Sequence, residues 1–424
     1  MEVRTLLLAS LGGALEFYDF VIFVFFTTVI GKLFFPADLP DWLRQLQTYG
    51  IFAAGYLARP LGGVVMAHFG DMSGRKRMFT LSVLLMALPT LMIGLLPTYG
   101  SIGIWAPLLL LALRVMQGAA IGGEVPGGWV FVAEHAPSGW VGLAVGLLTG
   151  GLTGGILLGS LVANGIDGMF TQGQIIGGFW RLPFLIGGLF GLGAMVLRRW
   201  LAETPVFEEM RRNAAVSKEL PLRAVLRGHG AAIGRSMAST WMLTAAIVVV
   251  ILMTPTLLQK LFALTPRETL HANLAGTVSC CLSCVMVCAA SDRFGVRRIA
   301  VPMVALLIAS TYALYLGALY LGAARLPQFL LPLYVLAGAG VGAIGLVPVI
   351  MVRAFPAAIR FSGISFSYNV AYAIFGGMTP VMVSWLAHLD PLAPAHYVCV
   401  AALAGLVAIW IKAPSASPGP HRGF

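Results

Sequence analysis

An all-α membrane protein, with twelve transmembrane helices in two pseudo-symmetric six-helix bundles, is the fold class this sequence predicts, on three observations. Hydrophobic residues make up 59% of the 424 and charged residues only 10%, with a strongly positive mean hydropathy. A water-soluble domain of this length needs roughly a quarter of its residues charged to cover its surface. Apolar runs recur about every 30 to 35 residues, each long enough at 1.5 Å per residue to cross a hydrocarbon core of about 30 Å. Finally, two loop motifs repeat in register, Asp71 with Asp292 and Pro137 with Pro356, at offsets of 221 and 219.

The expected spans are 5–35, 46–69, 78–97, 105–134, 139–164, 179–200, 232–260, 268–290, 298–321, 327–353, 358–387 and 392–412. The first run has almost no basic leader and no small-residue cleavage pattern, so it reads as a retained helix rather than a signal peptide. The 51 glycines and 24 prolines suit membrane helices, in which small residues let backbones approach closely and neighbours tolerate proline. The longest polar break, 201–231, carries Glu203, Glu208, Glu209, Arg211, Arg212 and Lys218 and divides the helices six and six. The expected units are therefore a bundle over 1–200, a cytoplasmic linker over 201–231, a bundle over 232–412 and a disordered Ser- and Pro-rich tail over 413–424.

The net charge of +11 reports orientation, not nucleic-acid binding. Of the 27 basic residues, 19 fall on the side of the N-terminus, six on the opposite side, and Arg59 and Arg114 lie within helices. That split follows the positive-inside rule and predicts a multi-pass protein of a bacterial-type inner membrane with both termini cytoplasmic. All five cysteines fall in apolar runs, four of them (Cys280, Cys281, Cys284, Cys288) in one helix, with no His or carboxylate at ligand spacing; they read as small packing residues, and no metal site is expected.

The repeated loops argue for a duplicated six-helix unit with the solute path between the halves. Asp71-Met-Ser-Gly74-Arg75-Lys76-Arg77 follows the second span and Asp292-Arg-Phe-Gly295-Val-Arg297-Arg298 follows the eighth. Gly74 and Gly295 suit a tight turn. Asp71 is placed either to face a helix N-terminus or to pair with an arginine.

Gly70-Asp71-x-x-Gly74-Arg75-Lys76 resembles the signature loop of the major facilitator superfamily. More narrowly, Glu16-Phe17-Tyr18-Asp19-Phe20, Arg59-Pro60-Leu61-Gly62 and Arg114-x-x-Gln117-Gly118-x-x-x-Gly122-Gly123-Glu124 look like the metabolite:proton symporters, which carry proline and betaine, citrate, 2-oxoglutarate or shikimate inward with protons. The resemblance implies the twelve-helix fold, proton symport by alternating access, and an inner gate that includes Asp71, Gly74, Arg75, Glu134, Asp292 and Arg360, in which Glu134 can pair with Arg75. The sequence departs from the subfamily in having Phe17 in place of a tryptophan, no arginine matching Arg360 between spans 4 and 5, and a tail too short for a coiled coil.

Ionisable groups at membrane depth each cost on the order of 2.5 to 3.5 kcal/mol, so they generally face a cavity or a partner. Glu16, Asp19, Arg59, Arg114 and Glu124 are such groups, all in the first half. On span 4, Arg114, Gln117, Ile121 and Glu124 fall on one stripe. Glu16, Asp19 and Glu124 are the candidate proton carriers, because a carboxyl that gains or loses an arginine neighbour can take up or release a proton. Arg114, which can bind a substrate carboxylate or pair with Glu124, joins Gln117, Arg59, Tyr368, Asn369 and Tyr372 as candidate substrate ligands. On span 11, Tyr368, Tyr372, Phe375 and Thr379 share one helical face.

The sequence has no phosphate-binding loop ending in Gly-Lys-Ser/Thr, no His-Glu-x-x-His and no nucleophile elbow, which excludes a pump or hydrolase of those types. The expectation is a non-enzymatic, cofactor-free, monomeric importer of a small organic carboxylate or zwitterion (di- or tricarboxylate, betaine or proline-like), with the proton as coupling ion. Its partners would be solute, protons and the lipid bilayer. A proton-coupled antiporter or exporter, or a transport-dead sensor, are the alternatives.

Overall fold

The computed structural model describes residues 3–198, 203–213 and 221–411, and all regular structure among them is helical. The long helices are α1 (Val3–Phe25, continued after a bend by Thr27–Phe34), α2 (Asp41–Ser73), α3 (Arg75–Leu95), α4 (Trp105–His135), α5 (Val141–Met169) and α6 (Arg181–Arg198, entered through Gln172–Phe179). After two short helices, Pro205–Arg212 and Pro221–Gly228, come α7 (Gly230–Phe262) and α8 (Pro266–Phe294). The apolar stretch Val296–Ala354 is 59 residues long. At 1.5 Å per residue it would reach roughly three times the hydrocarbon thickness. Gly322, at φ 61° and ψ 179°, breaks it into α9 (296–321) and α10 (323–354). The chain closes with α11 (Ala357–Leu389) and α12 (Ala393–Trp410).

Nine described helices are long and apolar enough to span a membrane, and two bent pairs raise the number to eleven. The Gly322 break makes the twelfth crossing. The first span, expected as one helix, is bent by 63° at Phe26, and the sixth by 47° after Phe179. The second bend follows a π-helical turn at Ile175–Phe179 in which Gly178 has φ 157°. Both bends lie on the face opposite the basic loops, and Phe26, Ile175 and Trp180 at them are buried in the core of the first bundle.

Lipid provides little hydrophobic drive for helices to associate, so they join by backbone approach over small residues. Where α2 crosses α4, a Cβ on Gly118 would fall on the Gly55 backbone, and one on Gly122 would fall on the Arg59 carbonyl. Gly151 and Gly155 of α5 meet the Ser10 and Ala14 carbonyls of α1 in the same way. Across the two halves, Gly142, Gly146 and Gly150 of α5 meet Cys288, Cys284 and Cys281 of α8. Gly338 of α10 sits on Gly276 of α8, so the glycine run 338–342 is a helix-packing seam. Outside the bundles, large apolar side chains point outward: Leu57, Leu61 and Val381 are 68%, 75% and 72% exposed.

Gly74 and Gly295 occupy the sharp turns between α2 and α3 and between α8 and α9, at φ 115° and 85°, where a side chain would be strained. Their loops define one face of the molecule, called here the basic face, since Arg75, Lys76, Arg77, Arg293, Arg297 and Arg298 lie on it.

The α2–α4 seam leaves no room for a side chain at Gly118. Gly118→Leu is expected to destabilise the protein by at least about 1 to 3 kcal/mol, the usual cost of overpacking. It should appear as lower thermal unfolding in detergent and loss of a monodisperse species. Gly154→Leu, whose Cβ would meet nothing within 4 Å, should leave both unchanged.

Candidate functional site

Four sets of polar side chains are buried within the bundles. The first starts from Asp19 on α1, 2% exposed. Its Oδ2 lies 3.2 Å from the hydroxyl of Thr90 on α3, which also reaches the Met86 carbonyl at 2.9 Å. Gln117 on α4 donates to that hydroxyl at 2.6 Å and accepts from Arg114 Nη1 at 2.8 Å. An acid and a guanidinium are thus linked through one hydroxyl and one amide, and the guanidinium lies 4.2 Å from the centre of the Phe23 ring. Asp19, Gln117 and Arg114 come together; Thr90, invisible in the sequence as a lone hydroxyl in an apolar run, completes the chain.

The second set corrects an expectation. Glu124 does not pair with Arg114. Arg198 Nη1 is 2.6 Å from Glu124 Oε1, and the Ser82 hydroxyl donates to the other carboxylate oxygen. Arg114 and Glu124 are ten residues apart on α4, about 15 Å along the axis, beyond the reach of a direct pair. Arg198 ends α6, and with Arg199 and Trp200 after it the sequence places it among the solvated basic residues of the flank. Its side chain instead turns back into the bundle, fully buried, donates to the Phe79 carbonyl at 2.7 Å and stacks 3.7 Å over the Phe79 ring. No composition signal separates a buried terminal arginine from a snorkelling one.

The third set lies between the halves. Arg59 on α2 is 1% exposed, its guanidinium 4.2 Å from the centre of the Tyr372 ring, 5.6 Å from Tyr368 and 5.7 Å from Tyr56. These are cation–π distances. It borders a cavity of about 130 Å³ whose other walls are Phe17, Val21, Val24, Phe25, Phe52, Tyr56, Ile121, Ile156, Ile247, Leu252 and Tyr372. Arg59 is the one charged residue among the described residues lining it.

The stripe expected on span 11 does not hold. A π-helical turn at Tyr372–Gly376 inserts an extra residue and rotates the remainder of the helix. Tyr368 and Tyr372 face Arg59, whereas Phe375 stacks on Trp241 at 5.0 Å and Thr379 lies 2.7 Å from the Tyr397 hydroxyl, both turned into the second half. Asn369 donates to the Gly122 carbonyl at 2.7 Å and to the Ser365 carbonyl at 2.8 Å, joining α11 to α4 rather than facing the cavity. The Glu16 side chain lies outside the described residues.

The fourth set closes the basic face. Arg75 contacts Asp71 at 3.1 Å and Glu134 at 3.4 Å, and Glu134 also pairs with Arg360 of the other half at 3.0 Å. Arg75 also donates to the Ala357 carbonyl at 2.8 Å, and the Thr204 hydroxyl donates to Glu134 at 2.8 Å. Glu203 accepts from the Arg75 and Lys76 amides, both at 3.1 Å, at the start of α3. The two signature acids each face the first turn of a helix in the opposite half: Asp71 accepts from the Ser362 amide of α11 at 2.9 Å, and Asp292 from the Gly142 and Leu143 amides of α5 at 2.8 Å. An acid at a helix N-terminus is stabilised by unsatisfied amides and the helix dipole. Asp71 therefore takes both roles left open by the sequence. The second copy is weaker, because Arg353, 48% exposed, lies 3.8 Å from Asp292.

Ion pairs that join the two halves at one face, a small cavity between the halves, and buried acids paired with arginines are the features that the site brings together. The family described as Major Facilitator Superfamily matches residues 17–290. The chain belongs to this superfamily. It is 31% identical to the citrate-proton symporter of Klebsiella pneumoniae over 410 residues, covering 96% of this chain and 91% of the relative. The shikimate transporter of Escherichia coli (strain K12) is 32% identical, with 91% and 88% covered. A putative proline/betaine transporter of Staphylococcus aureus (strain COL) is 31% identical, with 96% and 87% covered. The fold superposes on the proton:xylose symporter XylE bound to 6-bromo-6-deoxy-D-glucose with a TM-score of 0.77 at 17% identity, covering 96% and 94% of the two chains. This superfamily member is a multi-pass membrane transporter and not an enzyme.

Breaking a buried pair leaves a charge without a partner, at a cost of about 3 to 5 kcal/mol. Arg198→Met should therefore lower the unfolding temperature of the transporter sharply, and Arg198→Met with Glu124→Gln should recover most of the loss. At the gate, Glu134→Gln removes the acid shared by Arg75 and Arg360. Spin labels at exposed Met72 and Pro356, on a cysteine-free background, should then show a longer and broader distance distribution than in the transporter with Glu134 intact.

Proposed function

We propose that this transporter imports a small organic acid with a single carboxylate and a largely apolar body, by proton symport through alternating access. The observation that carries the reading is the cavity between the halves: one guanidinium, Arg59, and otherwise aromatic and aliphatic walls. A guanidinium matches a carboxylate in geometry and charge. The second and third charges of a tricarboxylate would face Phe17, Ile121 and Ile247 without partners, which is costly in a low-dielectric cavity. A quaternary ammonium would need tyrosine faces that Arg59 already covers. The finer choice among the relatives' substrates therefore falls on the carboxylate side.

The basic face is the cytoplasmic one by the excess of Lys and Arg, both termini lie on that side, and the membrane is the bacterial inner membrane. With the gate joined through Glu134, the cavity is reached from the outside past Phe25 and Leu252, 43% and 41% exposed at its rim. Arg59 takes the substrate carboxylate, Tyr56 and Tyr372 flank it, and Arg114 with Gln117 sets the charge state of Asp19 behind the cavity wall. Asp19, Glu124 and Glu16 are the acids available to carry the proton. An anion at Arg59 and a proton on an acid together add no net charge to the interior, so the loaded carrier rearranges and a half-loaded one is held. It works as a monomer, with lipid, proton and solute as its partners.

Purified transporter in proteoliposomes with an imposed proton gradient, acid outside, tests the reading with radiolabelled benzoate, shikimate, citrate and glycine betaine. Inward accumulation of a monocarboxylate, lost in Arg59→Gln and uncoupled from the gradient in Asp19→Asn, is the expected result. Preferential accumulation of citrate or betaine would replace the proposed substrate class, and extrusion would make it an exporter. Accumulation of none of the four would leave the sensor reading standing.

A further inference from the structure

On the basic face the second half has a hollow of about 460 Å³ at the ends of α7, α9, α10 and α12. Arg235, Arg297, Arg298 and Arg353 line it together with Ile350 and Ile409, and no Asp or Glu lines it among the described residues. The isoleucines belong to a small apolar cluster beneath it. The four guanidinium groups are only partly engaged. Arg235 donates to the Ile411 carbonyl at 3.2 Å and Arg297 to the Ile409 carbonyl at 3.4 Å, a single N–H in each case. Arg235 Nε is buried without a hydrogen-bond partner, and Arg298 has no polar partner among the described residues. Arg353 lies 3.8 Å from Asp292, whose oxygens already accept from amides of α5. Arg235 and Arg297 are also near enough to repel each other.

The first half shows what such a place holds. There α3 begins after Gly74, and the Glu203 carboxylate accepts from the Arg75 and Lys76 amides, so close that a Cβ on Gly74 would collide with it. The hollow beside Lys76 and Arg77 thus has an acid of its own. In the second half α9 begins after Gly295 in the same turn, with no side chain capping its first amides. Gly295 borders the hollow, and nothing lies within 4 Å of where its Cβ would stand. Residues 412–424, which follow α12 as Glu203 follows α6, contain no Asp or Glu. The second copy of the loop has the cations and the open helix start without the anion.

We infer that an anionic phospholipid supplies it, with its phosphate among Arg298, Arg353 and Arg235 and its glycerol and acyl groups on Ile350 and Ile409. Guanidinium groups match a phosphate in geometry and charge, and basic pockets between helix ends on this side of a membrane suit anionic headgroups. Two features select a lipid over a free phosphate. The floor is apolar, which an inorganic anion does not use. The rim carries exposed Phe294 and, 5.7 Å from the Arg297 guanidinium, exposed Trp410, an aromatic residue of the kind that sits at headgroup depth. The inference rests on the membrane placement of the basic face proposed above and not on the solute.

The test uses the purified full-length transporter, stripped of lipid in neutral detergent and titrated with phosphatidylglycerol, phosphatidylcholine or inorganic phosphate. Native mass spectrometry counts bound lipid, and thermal unfolding scores stabilisation. Phosphatidylglycerol is expected to be retained as a one-to-one adduct and to raise the unfolding temperature, and the other two are not. Arg298→Gln with Arg353→Gln should weaken phosphatidylglycerol about thirtyfold. Arg211→Gln with Arg212→Gln, which removes the same charge from exposed residues of the short helix Pro205–Arg212, should leave its affinity unchanged. Arg298→Glu gives the hollow an acid of its own, so it should abolish the adduct and raise the unfolding temperature of the lipid-free protein. Equal weakening by both double variants, a wild-type adduct in Arg298→Glu, or equal retention of phosphatidylcholine overturns the inference. Stabilisation by inorganic phosphate equal to that by phosphatidylglycerol assigns the hollow to a soluble phosphate and overturns the lipid. No solute is present in these measurements, so their outcome is independent of whether benzoate is transported.

Discussion

A charge in hydrocarbon must be met by a partner, and the surroundings of the buried charged side chains follow from that requirement. Four arginines are fully buried among the described residues, Arg59, Arg75, Arg114 and Arg198, and each is met differently. Arg198 has a carboxylate and a phenyl face, Arg75 two carboxylates and two carbonyls, Arg114 an amide and two phenyl rings, and Arg59 tyrosine faces. The arginine that stacks on tyrosines is the one at the cavity.

The duplicated halves use the same backbone device and different charges. In each, an acid in the last turn of the second helix of the half faces the first turn of a helix of the other half. Around it the first half builds a buried pair of Arg75 and Glu134 that Arg360 of the second half joins, whereas the second places the half-exposed Arg353 beside Asp292. Buried pairs are costly to break and exposed ones contribute roughly 0 to 1 kcal/mol. The closure of the basic face therefore rests on the first copy, and Glu134, tied also to Thr204 of the linker, is where the two halves are joined through charge.

Much of the fold was legible because membrane helices announce themselves in length and composition: ten of the twelve crossings coincide with apolar runs as single helices or bent pairs, and the other two, expected as the separate runs 298–321 and 327–353, are parted at Gly322. The tight turns at Gly74 and Gly295 were legible because only glycine accepts their dihedral angles without strain. The partner of Glu124 was not, because Arg198 sits where solvated arginines also sit and only the course of α6 turns it inward. Nor was the second part of the α11 stripe, because one extra residue in a π-helical turn rotates everything after Tyr372 and leaves no mark in composition. The bend at Phe26 was hidden because it, too, leaves no mark in composition.

The sequence by itself determined that the chain lies in lipid, that it is a doubled six-helix unit, which residues carry charge into the bilayer, and to which superfamily its motifs belong. These are properties of counts, lengths and repeats, which do not depend on how helices meet. Tertiary structure alone decided the pairings: Arg198 with Glu124, Arg114 with Asp19 through Thr90 and Gln117, and Arg59 with its tyrosines. Pairing at a few ångströms depends on helix rotation and crossing, and a single inserted residue or one close glycine contact resets both.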